Sequence, residues 1–488
     1  MKIAIVGFGV SGAALLMALK TTGKLDKNDV TVDIFDPREE FAVGPAYQKD
    51  TKYLLLNAFP TAMSLKNDEP MDFPNWLEEH YPEYESTVDL VPRTIYGEYA
   101  KERIEPLLEL ENVNYINQEV IDIEVRAEQN GLLYQLEDAQ GELYDDYDYL
   151  FLAVGVPDYQ DFYNLRGTEN YVHNPYPVIE KLKDLDEDKH IAIIGSGLTA
   201  FDIVNYLSHE KKLTQPIGVF TNRPDFNSLR VSPYRGPALT YSLDKEWIDN
   251  ELRTHKGYIP LERIVETVQA DLIENNIDLN AIRAKYDPAD LDKTYQTYFG
   301  QEHPDLSKVQ AYIAKLSPNL GDLYMSLTKG DVVRFRLDYA PLFSHYQVRL
   351  APDAVENMYH LTTEDKLFVV PDLVEIEKED RFILKSLSGE TFEADIVINA
   401  TGFAYNTDLI TSEDNALLRK LLDKGFLLDK EKRGILVTWP ETKVMNQTFG
   451  KLDNCFYIGP WLTNTHFGNN NVKALVRKAN EIVVNYMG

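Results

Sequence analysis

The 488-residue sequence contains one cysteine, Cys455. A single thiol excludes a disulfide framework and a dithiol redox pair, and with them Cys-based zinc ribbons and iron–sulfur clusters. It points to a reducing, cytoplasmic setting. Positive charge is also scarce: 49 Lys and Arg face 79 Asp and Glu, a formal net charge of −30. Such a surface repels phosphate backbones and anionic lipid, so neither nucleic acid nor a membrane surface is an expected partner. No apolar run approaches the roughly 18 residues that suggest a membrane span. Met1–Leu19 is short, apolar and carries one lysine, as a secretory leader would. However, Gly7, Gly9 and Gly12 interrupt it and no clean small-residue cleavage site follows, so it reads as mature structure.

With 44% hydrophobic and 26% charged residues, the remainder has the balance of a soluble globular protein. At roughly 150 residues per domain its length suggests about three domains. Ile3-Ala4-Ile5-Val6 is a nearly continuous apolar run, the pattern of a strand buried on both faces of a parallel sheet. Gly7-Phe8-Gly9-Val10-Ser11-Gly12 follows, then a helix-forming Ala13–Lys20, then a second strand, Val30–Phe35, closing on Asp36. The same unit recurs as His190–Ile194, Gly195-Ser196-Gly197-Leu198-Thr199-Ala200, a helix Phe201–Leu207 and a strand Ile217–Phe220. Hairpin-like stretches, Leu132–Tyr144 and Arg381–Phe392, come later in each copy. Each copy then closes on an acid, an apolar strand and a glycine: Asp148 to Gly155, and Asp395 to Gly402. So long a period means two related domains and not a solenoid. Residues 225–347 interrupt the second copy, and Glu251–Ala284 and Leu306–Leu327 have helical spacing.

The first glycine turn has the form that cradles a dinucleotide. Gly7 permits the tight turn, Gly9 lets the backbone approach a pyrophosphate, and Gly12 lets helix and strand pack closely. The helix N-terminus offers unpaired N–H groups to the phosphates. Asp36, 24 residues past Gly12, lies near the spacing of a carboxylate that binds a ribose hydroxyl. In the second turn Ala200 replaces the third glycine, and the second strand ends in Thr221-Asn222-Arg223, with no acid. Arg223 pairs with a 2′-phosphate where an acid would repel it, which favours NADP over NAD; the plain alternative is a solvated loop cation.

Two such folds with two Asp…Ala-x-Gly strands resemble the two-dinucleotide-binding-domain flavoproteins. A narrower likeness rests on Gly44-Pro45-Ala46-Tyr47, Leu56-Asn57-Ala58-Phe59-Pro60, Met63-Ser64, Pro92-Arg93, Tyr96-Gly97 and His173-Asn174-Pro175-Tyr176-Pro177. These are similar to a bacterial branch of FAD/NAD(P)-binding proteins related to flavin-containing and N-hydroxylating monooxygenases. The resemblance implies that Gly7, Gly9, Ser11, Gly12 and Asp36 bind the ADP half of FAD. It implies that Gly195, Gly197 and Arg223 bind NADP or NAD, and that Gly155 and Gly402 mark where the chain crosses between domains. Ile458-Gly459-Pro460 stands where larger relatives have a Gly-Asp on the flavin phosphates, so Gly459 is a cofactor candidate without the carboxylate.

Other residues carry two readings each. Asn57 and Ser64 are candidates for the flavin ring edge, or belong to an ordinary apolar loop. Arg93, before a helix expected to stop or kink at Pro106, lies beside the flavin in relatives, or is a surface ion-pair partner. His173 is a proton-transfer candidate or a turn residue. Arg334, Arg336 and Arg349, with His345, form a basic patch for an anion, or pair internally with the surplus carboxylates. The polar stretch 463–471 opens a C-terminal helix, Val472–Tyr486, and either faces the flavin or merely caps that helix.

The expected fold is α/β, with two Rossmann-like dinucleotide-binding domains and a mainly helical insertion in the second. The expected boundaries are 1–160 with 403–488 for FAD, 161–224 with 348–402 for NAD(P), and 225–347 for the insertion. The expected function is an FAD-dependent, NAD(P)H-using oxidoreductase of monooxygenase-like type acting on a small molecule. The alternative is a flavin-binding sensor or partner-binding module without turnover. Nothing in the sequence specifies the oligomeric state, a metal site or a catalytic residue.

Overall fold

The structure is a computed structural model. It describes every residue except 28, 130, 223–225, 288–290, 463, 464, 466, 469, 470 and 488, and the side chains at 412 and 414. Its contacts divide the chain into two units. The first comprises Met1–Lys49, Ala58–Asp158 and Ala404–Gly488; the second comprises Asp50–Asn57 and Tyr159–Phe403.

In the first unit, β1 (Lys2–Val6) turns through Gly7 and Gly9 into α1 (Val10–Thr21) and returns as β2 (Thr31–Phe35). β1 is central. β2 pairs with it in parallel on one side and Tyr149–Leu152 on the other. The full order is Lys443–Asn446, Gly450–Tyr457, Tyr149–Leu152, β1, β2 and Val113–Ile116, parallel except for the antiparallel outermost pair Lys443–Asn446 and Gly450–Tyr457. Burial on both faces explains the unbroken apolar runs: Ile3, Ala4, Ile5, Leu150, Phe151 and Leu152 are fully buried. Each large apolar side chain among them contributes about 1.5–3 kcal/mol. An antiparallel sheet of Val120–Glu128, Gly131–Asp138 and Leu143–Tyr147 places Tyr134, Leu136 and Tyr147 in one core with Val6 and Leu150.

The second unit repeats this plan. β3 (Ile191–Ile194), α2 (Leu198–Glu210) and β4 (Ile217–Phe220) build a parallel sheet in the order Leu367–Val370, β4, β3, Ile396–Asn399, Tyr171–Val172. A three-stranded antiparallel sheet, Leu373–Lys378, Phe382–Ser386 and Thr391–Ala394, accompanies it.

The duplication extends to single hydrogen bonds. Gly7 N–H donates to the Phe35 carbonyl and Gly195 N–H to the Phe220 carbonyl, both at 2.8 Å. The two acids preceding the closing strands do the same work: Asp148 accepts from the Lys2 N–H at 2.7 Å, and Asp395 from the His190 N–H at 2.8 Å. Gly7 and Gly195 both have positive φ, 93° and 124°. A Cβ on Gly7 would sit 2.2 Å from the Ala153 carbonyl oxygen, and one on Gly195 2.4 Å from that of Ala400. Both units are Rossmann-like.

The insertion is helical. Lys245–Thr254, Leu261–Glu274, Leu279–Tyr286, Leu291–Tyr298 and Pro304–Leu316 lead through shorter turns to Ala340–Gln347. It is no detached lid within its unit: Tyr286, Leu306 and Tyr312 share one buried cluster with Ile193, Val204 and Val219. Of the stop or kink expected at Pro106, the stop does not occur: helix Arg93–Leu108 runs two residues past Pro106, whose missing N–H removes one hydrogen bond of the last turns.

Gly7→Ala and Gly195→Ala should each cost about 2 kcal/mol or more, combining left-handed backbone strain with overpacking. Gly23→Ala, at φ 70° with nothing within 4 Å of the added carbon, should cost about 1–2 kcal/mol from strain alone. Urea unfolding of the three variants measures the difference.

Candidate functional site

The turn from β1 into α1 opens a cleft of about 430 Å³ in the first unit, lined by Gly7, Gly9, Ser11, Asp36, Arg38 and Gly155, among other residues. α1 begins at Gly9, with no side-chain cap and no acid in its first turn. Its leading N–H groups and positive dipole end are therefore open to an anion. Gly9 is closely packed: a Cβ there would lie 3.3 Å from the Gly44 Cα, and Gly44 itself has φ 59°. This is a cradle that side chains would fill, and it fits a pyrophosphate. α2 starts in the same way in the second unit, at Gly197, with no side-chain cap and no acidic first turn. Nothing lies within 4 Å of an added Cβ at Gly197.

Asp36 is buried in the cleft wall. Its carboxylate accepts from the Phe8 N–H at 2.7 Å and from the Arg38 N–H at 3.0 Å. It also accepts from Arg38 Nε at 2.9 Å and Nη2 at 2.6 Å. An ionised carboxylate offers about four lone-pair positions, and protein donors occupy that number. A ribose hydroxyl reaching Asp36 must therefore share or displace an Arg38 contact. Desolvation pulls the Arg38 guanidinium down, but its hydrogen bond to Asp36 and the charge of that carboxylate hold it above the usual arginine value. The Arg38 side chain is 40% exposed, and Nη2 lies 3.8 Å from where a Gly9 Cβ would be. Arg38 is thus a partly exposed cation at the cradle. Sequence spacing singled out Asp36 and passed over it, although Pro37-Arg38 follows directly.

Of the candidates, Gly7, Gly9, Ser11, Asp36 and Gly155 come together in this cleft. Gly12 lies beneath it, where a Cβ would meet the Gly7 carbonyl oxygen at 2.3 Å. Gly459, with φ 135°, stands beside Ser11. Gly195 packs on the strand that ends just before Gly402. The three candidates for the flavin's surroundings, Ser64, Asn57 and Arg93, are not among the residues that line the cleft. The Ser64 hydroxyl is spent locally, donating to the Lys66 and Glu69 carbonyls at 3.1 and 2.8 Å. Asn57 belongs to the second unit, where its carbonyl accepts from Arg230. Arg93 begins helix Arg93–Leu108, close enough to Tyr47 for its charge to act on that hydroxyl.

Arg223 lies outside the described residues, as do 463, 464, 466, 469 and 470 of the polar C-terminal stretch. Asn471 in that stretch caps helix Val472–Asn485, accepting from the Ala474 N–H at 2.9 Å. The ring of His173 lies near Tyr159 and Tyr171. The basic patch divides: Arg334 pairs with Glu262 and Asp331, while Arg336 donates to Tyr324 Oη.

Residues 4–157 match a family model described as FAD-NAD(P)-binding. No curated protein sequence matches the chain. Among solved structures, L-lysine 6-monooxygenase from Pseudomonas syringae superposes with a TM-score of 0.59 at 15% identity, over 98% of this chain and 97% of its own. The FAD-bound cadaverine monooxygenase of desferrioxamine biosynthesis from Erwinia amylovora gives 0.54 at 13%, over 99% and 93%. The ornithine N-hydroxylase of Kutzneria sp. 744, with reduced FAD, NADP+ and L-ornithine, gives 0.53 at 15%, over 99% and 97%. At these identities the likeness establishes the fold.

A double-mutant cycle on Asp36→Asn and Arg38→Ala, read by chemical denaturation, should give a coupling of about 1–3 kcal/mol, because each single change strands a hydrogen-bonded partner. Additive losses would show the pair to be a surface contact without energetic weight.

Proposed function

We propose that the protein is an FAD-dependent, NAD(P)H-using oxidoreductase of the monooxygenase type that acts on a small molecule. The observation carrying this reading is the repetition of one uncapped, glycine-built helix start in two Rossmann-like units, the first of which lies in a segment matching an FAD-NAD(P)-binding family. A sensor that never turns over has no use for the second start. The monooxygenase and N-hydroxylase structures sharing this fold from end to end add support.

In this reading Gly7, Gly9 and Gly12 shape the first cradle, and the N–H groups at the start of α1 hold the diphosphate of FAD. Arg38, braced by Asp36, supplies a positive group at the adenosine side and fixes its own orientation through three hydrogen bonds. Gly195 and Gly197 shape the second cradle for the nicotinamide nucleotide, with Arg223 assigned to a 2′-phosphate. Gly155, Gly402 and Gly459 keep the backbone close to the cofactors. Asn57, Ser64 and Arg93 stay assigned to the flavin's surroundings; the local bonding of Ser64 limits it to shaping the loop. Bound FAD supplies the chemistry these side chains lack, accepting a hydride from reduced nicotinamide and passing electrons onward. The chain's part is to orient the nucleotides, exclude water and balance charge. Cys455 is fully buried, and burial raises its thiol pKa well above normal, so it takes no part as a nucleophile.

The test is anaerobic addition of NADPH to the purified protein. The yellow flavin band should bleach, and NADH should act more weakly. Gly9→Val should emerge without flavin while remaining folded by circular dichroism. A yellow protein that neither nucleotide bleaches would leave the flavin site standing and remove the oxidoreductase.

A further inference from the structure

The insertion leaves the second Rossmann fold through residues 228–230 and returns through 349–350. The two stems are joined: Leu229 and Leu350 form a parallel bridge. The Arg230 N–H donates to the Leu350 carbonyl at 2.9 Å, and the Leu350 N–H to that of Ser228 at 3.0 Å. This brings two arginines to one place. Arg230 is only 8% exposed and donates to the Asn57 carbonyl. Arg349 is half-buried; its Nε donates to the Tyr346 carbonyl at 2.9 Å and its terminal nitrogen to that of Gln310 at 3.3 Å. Gln310 is buried in turn and bonds the Leu229 carbonyl at 2.7 Å. Backbone carbonyls thus hold both guanidinium groups in position.

Two like charges in this setting are expensive. Burial pushes the Arg230 pKa down to about 9, with repulsion from Arg349 adding to it, and burial pushes Arg349 to about 10. Among the described residues no carboxylate forms an ion pair with Arg349. Asp287, which accepts from the Tyr346 hydroxyl at 2.6 Å, is also engaged by His345 at 3.3 Å and Arg283 at 3.2 Å. Acids outnumber Lys and Arg by 30 in this chain, so carboxylates are plentiful, yet none of the described ones pairs with Arg349. Desolvated arginines fixed in orientation are the usual means of gripping carboxylate or phosphate, through charge-assisted and bidentate hydrogen bonds.

We propose that Arg230 and Arg349 form an anion site that binds a carboxylate or phosphate group of a small ligand and ties the two stems of the helical insertion together. Arg349 is the accessible half of the site and Arg230 the buried half. The site lies within one unit and needs neither flavin nor turnover, so it stands or falls separately from the function proposed above.

Thermal unfolding of the purified holoprotein tests it, with sulfate, succinate or 2′-AMP titrated against sodium chloride of equal ionic strength. Wild type should gain several degrees with sulfate and with either succinate or 2′-AMP. A gain with succinate identifies a carboxylate ligand; a gain with 2′-AMP identifies a nucleotide phosphate. Arg349→Gln should weaken the sulfate response at least tenfold. In plain buffer it should unfold close to wild type, because the relieved repulsion offsets the two lost carbonyl contacts; an arginine that serves only structure would lower the midpoint. If that variant does not fold, Arg349→Lys keeps the charge but loses the fork, and must still respond more weakly than wild type. Stabilisation by the three anions no greater than by chloride overturns the proposal, as does an unchanged sulfate response in either variant.

Discussion

The structure depends on one close approach, repeated in each unit. The backbone at the end of a central strand passes so near the neighbouring strand that a side-chain carbon would fall within 2.4 Å of a carbonyl oxygen. Only glycine, with its positive φ, fits there. From that turn the chain starts a helix that no side chain caps, so several N–H groups and the positive end of the helix dipole are left facing outward. The same constraint explains both the fold and its use. The turn lets strand and helix pack closely, and the uncapped helix start makes an anion welcome at the edge of the sheet.

Around this geometry the chain places its charges sparingly. The wall of the first cradle holds a buried carboxylate that four protein donors saturate. Its effect on a ligand is therefore indirect. It positions Arg38, a cation left partly open to the cleft. The insertion shows a related economy. Its helices share the core of the second unit instead of packing as a separate body, and its two stems carry Arg230 and Arg349, the second of which pairs with no carboxylate among the described residues.

Much of the fold was legible beforehand, because parallel strands buried on both faces leave continuous apolar runs, and glycines in left-handed turns leave a fixed spacing. Ile3–Val6 and Ile191–Ile194 show the first signal, and Gly7 with Gly195 the second. The acids at 148 and 395 were visible as a repeat, but their role as acceptors for the opening strands was not, since it depends on parallel pairing across long sequence distance. Arg38 escaped notice because spacing rules name the acid and not its partner. Ser64 looked like a ring contact from its neighbours in sequence, yet its hydroxyl closes a local turn. The link between Arg230 and Arg349 could not be read at all, because more than a hundred residues of insertion separate them and only the bridge between the stems brings them together.

The central claim is that the first cradle holds an adenine dinucleotide of flavin. The most direct measurement is to unfold the purified protein, separate the small molecules it releases, and identify and quantify them by chromatography and mass. The account predicts FAD at close to one molecule per chain. Release of FMN alone, or a colourless protein that cannot be loaded with FAD, would contradict it.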